Sequence, residues 1–302
     1  MYRIAAALAA LALASSAAAK NKVKLGPDDI GNGSNDPGKG VNFYSIEKEI
    51  VLGHQMAEEV RLTSRLCTDS MVTEYVNRVG QNVARNSDAK VPFTIQVIDS
   101  PEVNAFALPG GFLFVNTGLV MKAENEAELA GVLAHEIAHV AARHGTKQAT
   151  RSELVQYAAI PLVMFGGTAG TIIYEAATFA LPLEFLHFSR AMENQADHLG
   201  VQYLYKTGYD PGEFINFFEK VESLERKHPG TLARAFSSHP MTNDRIHRAQ
   251  QEIDQELQPR EEYIVDTSEF QAVRAHLQAI EERRKGMDLP YTPALRPRPG
   301  MQ

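Results

Sequence analysis

The sequence predicts an α+β, mostly helical fold with one small β-sheet, and three observations lead to this prediction. Apolar residues recur at helical spacing over much of the chain. Two short runs, Phe93 to Val97 and Gly111 to Val115, have the character of half-buried strands. Hydrophobic residues make up 44% of the 302 residues, which is too large a share for a disordered chain.

The residue counts exclude several classes of protein. Lys and Arg number 30 against 37 Asp and Glu, so the net charge of −7 argues against a nucleic-acid-binding domain. The single cysteine, Cys67, excludes an intramolecular disulfide framework and a zinc site built on several cysteines. Ten histidines leave a metal site built on imidazoles open.

The N-terminus has the pattern of an export signal. Arg3 precedes an apolar run from Ile4 to Ala14, and small residues follow as far as Ala19. We therefore predict a signal peptide at residues 1–19, an exported protein and, in a bacterium with two membranes, a periplasmic one. A retained N-terminal anchor is the alternative, although the apolar run is short for a membrane span.

A polar leader and one large domain are predicted next. Residues 20–43 are rich in Gly, Asp and Asn and form the leader. Residues 44–257 form the domain, in which Asn104 to Gly111 is interpreted as a turn between the two strands. The predicted helices run from Ser45 to about Leu66, from Asp69 to near Arg85, from about Ala123 to His144 with Gly145 as C-cap, from Ser189 to Lys206, and from Asp244 to Leu257.

One part of the domain is strongly apolar. Residues 157–174 carry no charge and are long enough to cross a membrane, but Pro161 and several glycines weaken them as one helix. We predict an apolar helical insert at about 155–183, which forms a buried hairpin or makes peripheral membrane contact. Beyond the domain we predict a C-terminal extension at 258–289 and a disordered tail, rich in Pro and Arg, at 290–302.

The sequence His135-Glu136-Ile137-Ala138-His139 is the central motif. Residues four apart on a helix share a face, so His135 and His139 can bind one metal ion. Glu136 is rotated off that line, where it can act as a base without filling a coordination position. This is the zincin arrangement of two histidine ligands and a carboxylate base.

A third protein ligand has to come from elsewhere. The spacing of the next histidine, His144, does not match the metzincin continuation, and on a continued helix its side chain would point away from the ligand face. Glu193 on a second helix can supply the ligand, and Asp197, one turn later, can orient a ligand imidazole. The alternative for Glu193 is a solvated acid beside Arg190.

The chain resembles the gluzincin peptidases, a family that includes HtpX, the CAAX-prenyl proteases and the periplasmic BepA-type enzymes. The matching stretches are Asn104 to Gly111, Asn116 to Leu119, Glu128 to Gly145, Ser189 to Gly200 and Ser237 to Arg245. The similarity is greatest to the BepA-type members and implies a zincin-type (gluzincin) catalytic domain, with the small β-sheet beside the His-Glu-x-x-His helix. No tetratricopeptide repeats follow residue 257 in this sequence, which leaves the outer-membrane assembly machinery open as a partner.

The resemblance also implies roles for individual residues. It makes His135, His139 and Glu193 the ligands of one Zn²⁺ per chain and Glu136 the catalytic base. His239 and Arg245 match a loop that lies near the metal; they would stabilise the oxyanion, or His239 would cap the zinc in a resting state. The alternatives are a loop-anchoring role for His239 and a helix N-terminal ion pair for Arg245.

The same resemblance implies the reaction and its substrate. Asn104, Ala105 and Phe106 would lie near an edge strand on which an extended substrate pairs its backbone. The predicted function is that of a zinc metalloendopeptidase acting on misfolded or misassembled cell-envelope proteins. A chaperone-like protein with a latent zinc site is the alternative, and a membrane-embedded protease is a third hypothesis. The remaining histidines are predicted to be structural or solvent-facing, and the Phe214, Phe217 and Phe218 cluster to belong to the core.

Overall fold

The computed structural model describes residues 24–31, 36–165, 188–227, 239 and 242–286, and the α+β, mostly helical fold is confirmed. The helices are α1 (Ile46–Thr63), α2 (Ser70–Arg85), α3 (Thr117–Lys122), α4 (Glu126–Ala141), α5 (His144–Phe165), α6 (Arg190–Lys206), α7 (Gly212–Lys227), α8 (Asn243–Glu256) and α9 (Ser268–Gly286). The strands are β1 (Thr94–Ile98), β2 (Ala105–Leu108) and β3 (Phe112–Asn116). The predicted signal peptide, the later part of the apolar insert (166–183) and the predicted tail lie outside the described residues.

Three helices begin next to the residues at which the sequence predicts their start. The side chains of Ser45, Asp69 and Ser189 each accept a hydrogen bond from a backbone N–H in the first turn of α1, α2 and α6. Helix α1 ends at Thr63, a few residues before the predicted end, because the chain then becomes extended alongside β1. The backbone N–H of Cys67 donates to the carbonyl of Val97 at 2.8 Å in that extended segment.

The sheet has the strand order β1-β3-β2, with β1 parallel and β2 antiparallel to β3. The prediction of a turn over residues 104–111 is wrong in its first half, because residues 105–108 form β2 and pair with Leu113 and its neighbours in β3. The turn itself is confined to Pro109–Gly111, where Gly110 adopts a φ of 75° that favours glycine. Strand β2 is therefore an edge strand.

Helix α4 forms the centre of the molecule. All of its residues are buried, and it packs against α6, α2, α7 and β2. The prediction that this helix continues to His144 with Gly145 as C-cap is wrong. It ends at Ala141, and Arg143 takes a left-handed φ of 56° that turns the chain into α5.

Helix α5 begins at His144 and continues through Pro161 to Phe165. The glycines at which we predicted the insert to break lie outside the described residues, so the hairpin stays a prediction. None of the helices in the described part of the chain is both long enough and apolar enough to cross a membrane.

The parts that flank residues 44–257 contact the domain where they are described. Leu25 of the leader forms a parallel bridge with Leu257, and α9 of the C-terminal extension packs on α2 and α3. Within the predicted C-terminal extension, Ile264 forms one isolated parallel bridge with Tyr209. The predicted domain boundaries stay a prediction.

Candidate metal centre

The two histidines of the central motif face one point inside the protein. His135 and His139 lie one turn apart on α4, and their Nε2 atoms are 3.1 Å from each other. Both residues are almost fully buried, with exposed fractions of 1% and 3%. The helical spacing in the sequence therefore places two imidazole nitrogens together.

Two further residues bring donor atoms to the same point. Glu193, in the first turn of α6, has its carboxylate oxygens 3.5 Å and 3.6 Å from the Nε2 atoms of His135 and His139. The Nδ1 atom of His239 is 2.8 Å from Glu193 Oε1 and 3.4 Å from His135 Nε2. One donor atom from each of the four buried residues lies within 4.8 Å of the other three.

This donor set is chemically able to hold a metal ion. Imidazole nitrogens and a carboxylate oxygen are ligands for transition-metal ions, and buried sites of this kind use three or four of them. Without a metal ion, the two facing Nε2 atoms would compete for a single proton between them. The chemistry of these residues thus fits a metal ion, and His135, His139, Glu193 and His239 are called the metal cluster below.

Asp197 and Arg245 form a buried ion pair behind this cluster. Arg245 donates two hydrogen bonds of 2.6 Å to the two carboxylate oxygens of Asp197, and its Nη2 lies 3.0 Å from Glu193 Oε2. Asp197 Oδ1, which accepts one of these hydrogen bonds, also lies 3.1 Å from His135 Nδ1. Arg245 also donates to the backbone carbonyl of His239 at 3.3 Å. The ion pair left open as an alternative for Arg245 is therefore present, and it connects Arg245 to the metal cluster.

Burial and neighbouring charges shift the pKa of His135 upward and those of Glu193, Asp197 and His139 downward. Burial disfavours the charged form of His135, but its contacts with Asp197 and Glu193 outweigh this and raise its pKa to about 9. Burial also opposes ionisation of Glu193 and Asp197, yet the partners of each carboxyl hold its pKa below the usual value. Burial, with His135 next to it, holds the pKa of His139 well below the usual value.

Glu136 lies between the metal cluster and the edge strand β2. Its Oε2 atom accepts a 3.1 Å hydrogen bond from the backbone N–H of Ala107 in β2, and its Oε1 atom is 3.9 Å from His239 Nε2. Burial raises the pKa of the Glu136 carboxyl, although His239 and His135 oppose the shift. A buried carboxylate in this position can accept a proton from water at the cluster.

The residues predicted to bind substrate belong to this strand or adjoin it. Ala105 and Phe106 are the first residues of β2, and Asn104 immediately precedes them. The Phe106 ring stacks on Phe114 at a centroid distance of 5.3 Å. The residue that contacts Glu136 is Ala107, which is not among the predicted substrate-binding residues, because the turn residues beside β2 mask its alternation in the sequence.

His144 is the clearest correction to the site. The prediction that its side chain points away from the ligand face is wrong, because the left-handed turn at Arg143 redirects the chain. His144 Nδ1 lies 3.0 Å from His139 Nδ1, and its Nε2 is 3.1 Å from Gln195 Oε1. Burial lowers the pKa of His144 to about 4, so the ring is neutral at neutral pH. No pattern in the sequence points to the break in the helix that produces this contact.

The other predicted histidines and aromatic residues lie as follows. His54 and His247 are exposed, His276 pairs with Asp69 at 2.7 Å, and His198 pairs with Glu252 at 2.9 Å. His187 and His228 lie outside the described residues. The predicted core cluster of Phe214, Phe217 and Phe218 is buried, and the rings of Phe214 and Phe218 lie 6.2 Å and 6.1 Å from His135.

Comparison with known proteins gives a family match across the site. The model of peptidase family M48 matches residues 70–253, which include every residue of the metal cluster. The chain is 28% identical over 222 residues to the beta-barrel assembly-enhancing protease of Yersinia pestis, covering 70% of this chain and 45% of that protein. It is 31% identical over 231 residues to a putative beta-barrel assembly-enhancing protease of Vibrio cholerae, covering 72% and 48%.

A mitochondrial protein from a eukaryote is also similar. The mitochondrial metalloendopeptidase OMA1 of Schizosaccharomyces pombe is 32% identical over 180 residues, covering 59% of this chain and 52% of that protein. The chain therefore spans about half the length of the relatives it matches.

Proposed function

This chain belongs to peptidase family M48, and from this premise we propose that it is a zinc-dependent metalloendopeptidase. The observation that carries the proposal is the convergence of four buried donor atoms within 4.8 Å of one another, with the Glu136 carboxylate beside them. The substrates that we propose are unfolded, misfolded or misassembled proteins of the cell envelope.

The proposed ligands of one Zn²⁺ per chain are His135, His139 and Glu193. Their mutual distances of 3.1 Å, 3.5 Å and 3.6 Å support this assignment, since one ion can replace the contacts between them. When bound, zinc supplies Lewis acidity that activates water and polarises a peptide carbonyl.

Glu136 is the proposed general base. It takes a proton from the attacking water and then gives that proton to the leaving amine of the substrate. The burial of its carboxyl supports this role, because a raised pKa makes the ionised group a stronger base. The hydrogen bond from Ala107 keeps the carboxylate facing the cluster.

His239 has two candidate roles, and Arg245 acts through its neighbours. The 2.8 Å contact between His239 and Glu193 supports a resting state in which His239 occupies a fourth metal position. Alternatively, the same side chain would stabilise the oxyanion of the reaction. Arg245 is a proposed positioning residue, since its guanidinium is already engaged by Asp197 and Glu193.

The edge strand β2 is the proposed binding site for the substrate backbone. An extended peptide can pair with such an edge through main-chain hydrogen bonds, which do not depend on its sequence. Asn104, Ala105 and Phe106 would contact the peptide upstream of Ala107. This arrangement suits unfolded segments, because a folded protein does not offer an extended strand of free backbone.

The cellular setting is also proposed. The predicted signal peptide favours export and, in a bacterium with two membranes, the periplasm, and two similar proteins carry the name of beta-barrel assembly-enhancing proteases. Proteins of outer-membrane assembly are therefore candidate substrates or partners. Residues 157–174 are a candidate for peripheral membrane contact.

Replacement of Glu136 by Gln tests the proposed mechanism. We expect the variant to bind zinc as wild type does but to cleave casein about 10² to 10⁴-fold more slowly, because the general base is lost while the ligands remain. Metal analysis and casein cleavage, with and without chelator, measure the two properties. As a matched variant, Glu193→Gln should lose zinc as well as activity. Cleavage by Glu136→Gln at the wild-type rate would refute the mechanism.

A chaperone-like protein with a latent zinc site is the second candidate function. The contact of His239 with the other donors favours it, because a cluster closed by a fourth side chain has no position for water. Suppression of client aggregation by both wild type and Glu136→Gln, with no cleavage by either, would favour this function over proteolysis.

A further inference from the structure

Each ligand histidine has a second ring nitrogen that faces away from the metal cluster, and the two are held differently. His135 Nδ1 faces the carboxylate of Asp197 at 3.1 Å. His139 Nδ1 faces another imidazole, that of His144, at 3.0 Å. The hydrogen bond between these two Nδ1 atoms needs one proton, carried by one of the two rings. If a neutral His139 carries it, the Nε2 atom of His139 has a free lone pair and can bind a metal.

The direction of this hydrogen bond follows from the groups farther along. The carbonyl oxygen of Pro37 can only accept, so the Gln195 atom 3.3 Å from it is the amide nitrogen, which donates. Gln195 then presents its oxygen to His144 Nε2 at 3.1 Å, and that nitrogen must carry the proton. The neutral His144 ring is left with a lone pair on Nδ1.

His144 Nδ1 therefore accepts a hydrogen bond from the N–H at His139 Nδ1. A neutral His139 protonated on Nδ1 has its lone pair on Nε2, the atom that faces His135 and Glu193. The chain of contacts from Pro37 to His139 thus selects the tautomer that a metal ion needs. It uses only neutral groups, whereas His135 is oriented by a charged one.

We propose that His144 and Gln195 are positioning residues that hold His139 in its metal-binding tautomer. We further propose that the turn at residues 36–39 of the predicted leader, called the leader turn, anchors this chain of hydrogen bonds through the carbonyl of Pro37. The proposal rests on the proposed metal site and adds to it a dependence of metal affinity on the leader. Together, Pro37, Gln195, His144 and His139 form the relay.

The surroundings of the relay support its rigidity. His144 reaches His139 because Arg143 takes a left-handed conformation, and Arg143 is held there by hydrogen bonds to Glu49 and to the carbonyl of Tyr44, each 2.6 Å long. His144 is 1% exposed, so water does not compete for its nitrogens. The ring of Phe188 covers His139 at a centroid distance of 4.2 Å.

The leader turn is tied to the same region by several contacts. The Pro37 carbonyl also accepts a hydrogen bond from Lys147 of α5 at 3.1 Å. Asp36 caps the turn through Gly38 N–H at 3.1 Å and pairs with Lys90 at 2.8 Å. These contacts fix the position of the carbonyl that orients Gln195.

Zinc affinity of the metal-free full chain, measured by competition with a chromophoric chelator, tests the proposal. His144→Leu should weaken zinc binding about 10 to 100-fold, the usual effect of losing a partner of a ligand histidine. His144→Asn keeps an acceptor at the position of Nδ1 and should bind zinc nearly as wild type does. The exposed His247→Leu serves as the control and should not change the affinity.

The role of the leader turn in zinc binding is tested by replacing two aspartates, each of which accepts a hydrogen bond from the backbone N–H of a nearby glycine. Asp36→Ala loosens the turn that carries Pro37, so zinc affinity should fall. Asp29→Ala removes the corresponding cap on Gly26, which is outside the relay, and the affinity should stay unchanged. Equal affinities for these two variants would overturn the role of the leader.

A second readout reports the protons themselves. Long-range ¹H–¹⁵N correlation spectra of the histidine rings should show the proton of His144 on Nε2 in the full chain, and in His144→Asn the proton of His139 should stay on Nδ1. A proton on Nδ1 of His144 would overturn the relay whatever the affinities are. If wild type binds zinc and needs Glu136 for cleavage while His144→Leu binds zinc equally well, the relay alone is refuted. If wild type binds no zinc, the proposed function fails with it.

Discussion

At the scale of single residues, Arg245 holds together the acids behind the metal cluster. It forms a bidentate pair with Asp197 and a further contact with Glu193, all with side chains no more than 7% exposed. Buried carboxylates that lose their cation stay desolvated without compensation. The role of Arg245 is therefore electrostatic support for residues that face the metal.

Replacing Arg245 by Met tests this support. We expect the free energy of unfolding to fall by about 3–5 kcal/mol, because the variant leaves buried acids unpaired. Urea denaturation of the metal-free protein measures it. Arg248→Met on the same helix is the control, since Arg248 pairs with Asp244 at the surface and should contribute no more than about 1 kcal/mol. Similar losses for both variants would contradict this account.

The same ion pair predicts a dependence of stability on pH. Arg245 and His135 hold the pKa of Asp197 below its usual value of 3.8 despite burial. A carboxyl whose pKa is lower in the folded protein than in the unfolded chain stabilises the folded protein when it is ionised. This stabilisation is complete above the pKa of the unfolded chain, and it is lost as the pH falls through the pKa of the folded protein. Between neutral pH and pH 3, wild type should lose more stability than Asp197→Asn in metal-free protein. A parallel pair of stability curves would exclude this contribution.

At the scale of elements, close packing of α1 against the turn after β2 positions the edge strand. Gly53 of α1 faces the Pro109 carbonyl so closely that a Cβ atom would lie 1.7 Å from its oxygen. A backbone carbonyl cannot rotate away as a side chain can. The position of Ala107 beside Glu136 thus depends on a glycine in a helix that contributes nothing to the metal cluster.

We expect Gly53→Ala to destabilise the protein by about 1–3 kcal/mol, because the added methyl group forces α1 away from the turn. Gly80→Ala in α2 is the matched control. Its Cβ would meet the tip of the Ile95 side chain, which can change rotamer, while alanine is the better helix former. Urea denaturation should rank Gly80→Ala as much more stable than Gly53→Ala. The reverse order would show that the close contact is relieved at little cost.

The elements that could be predicted from the sequence are those defined by local signals. Ser45, Asp69 and Ser189 cap helices through hydrogen bonds within one turn, and helical spacing alone brings His135 and His139 together. Strand β2 depends on pairing with β3, and the position of His144 depends on Arg143 being held by Glu49 and Tyr44. Contacts of this kind join distant parts of the chain and leave no periodic pattern to detect.

At the scale of the whole molecule, the metal cluster depends on the collapse of distant segments. His135 and His239 are separated by 104 residues, and Glu193 comes from a third segment. The leader joins α8 through Leu25 and Leu257, and α9 packs on α2 and α3. The donor atoms of the cluster can therefore meet only when α4, α6 and the segment of His239 are assembled, and we expect metal binding and folding to be coupled.

Replacing Phe270 by Ala tests whether α9 belongs to the same cooperative unit as the metal cluster. Phe270 is fully buried beside Tyr75 of α2, at a ring distance of 6.2 Å. Its truncation leaves a cavity, and the free energy of unfolding should fall by about 3–5 kcal/mol. The exposed Glu282→Ala on the same helix should leave it unchanged. Circular dichroism and zinc release, followed in the same urea titration, should then give one shared midpoint that shifts in Phe270→Ala. Loss of helix in a separate, earlier step with zinc still bound would show instead that residues 258–289 fold apart from the domain.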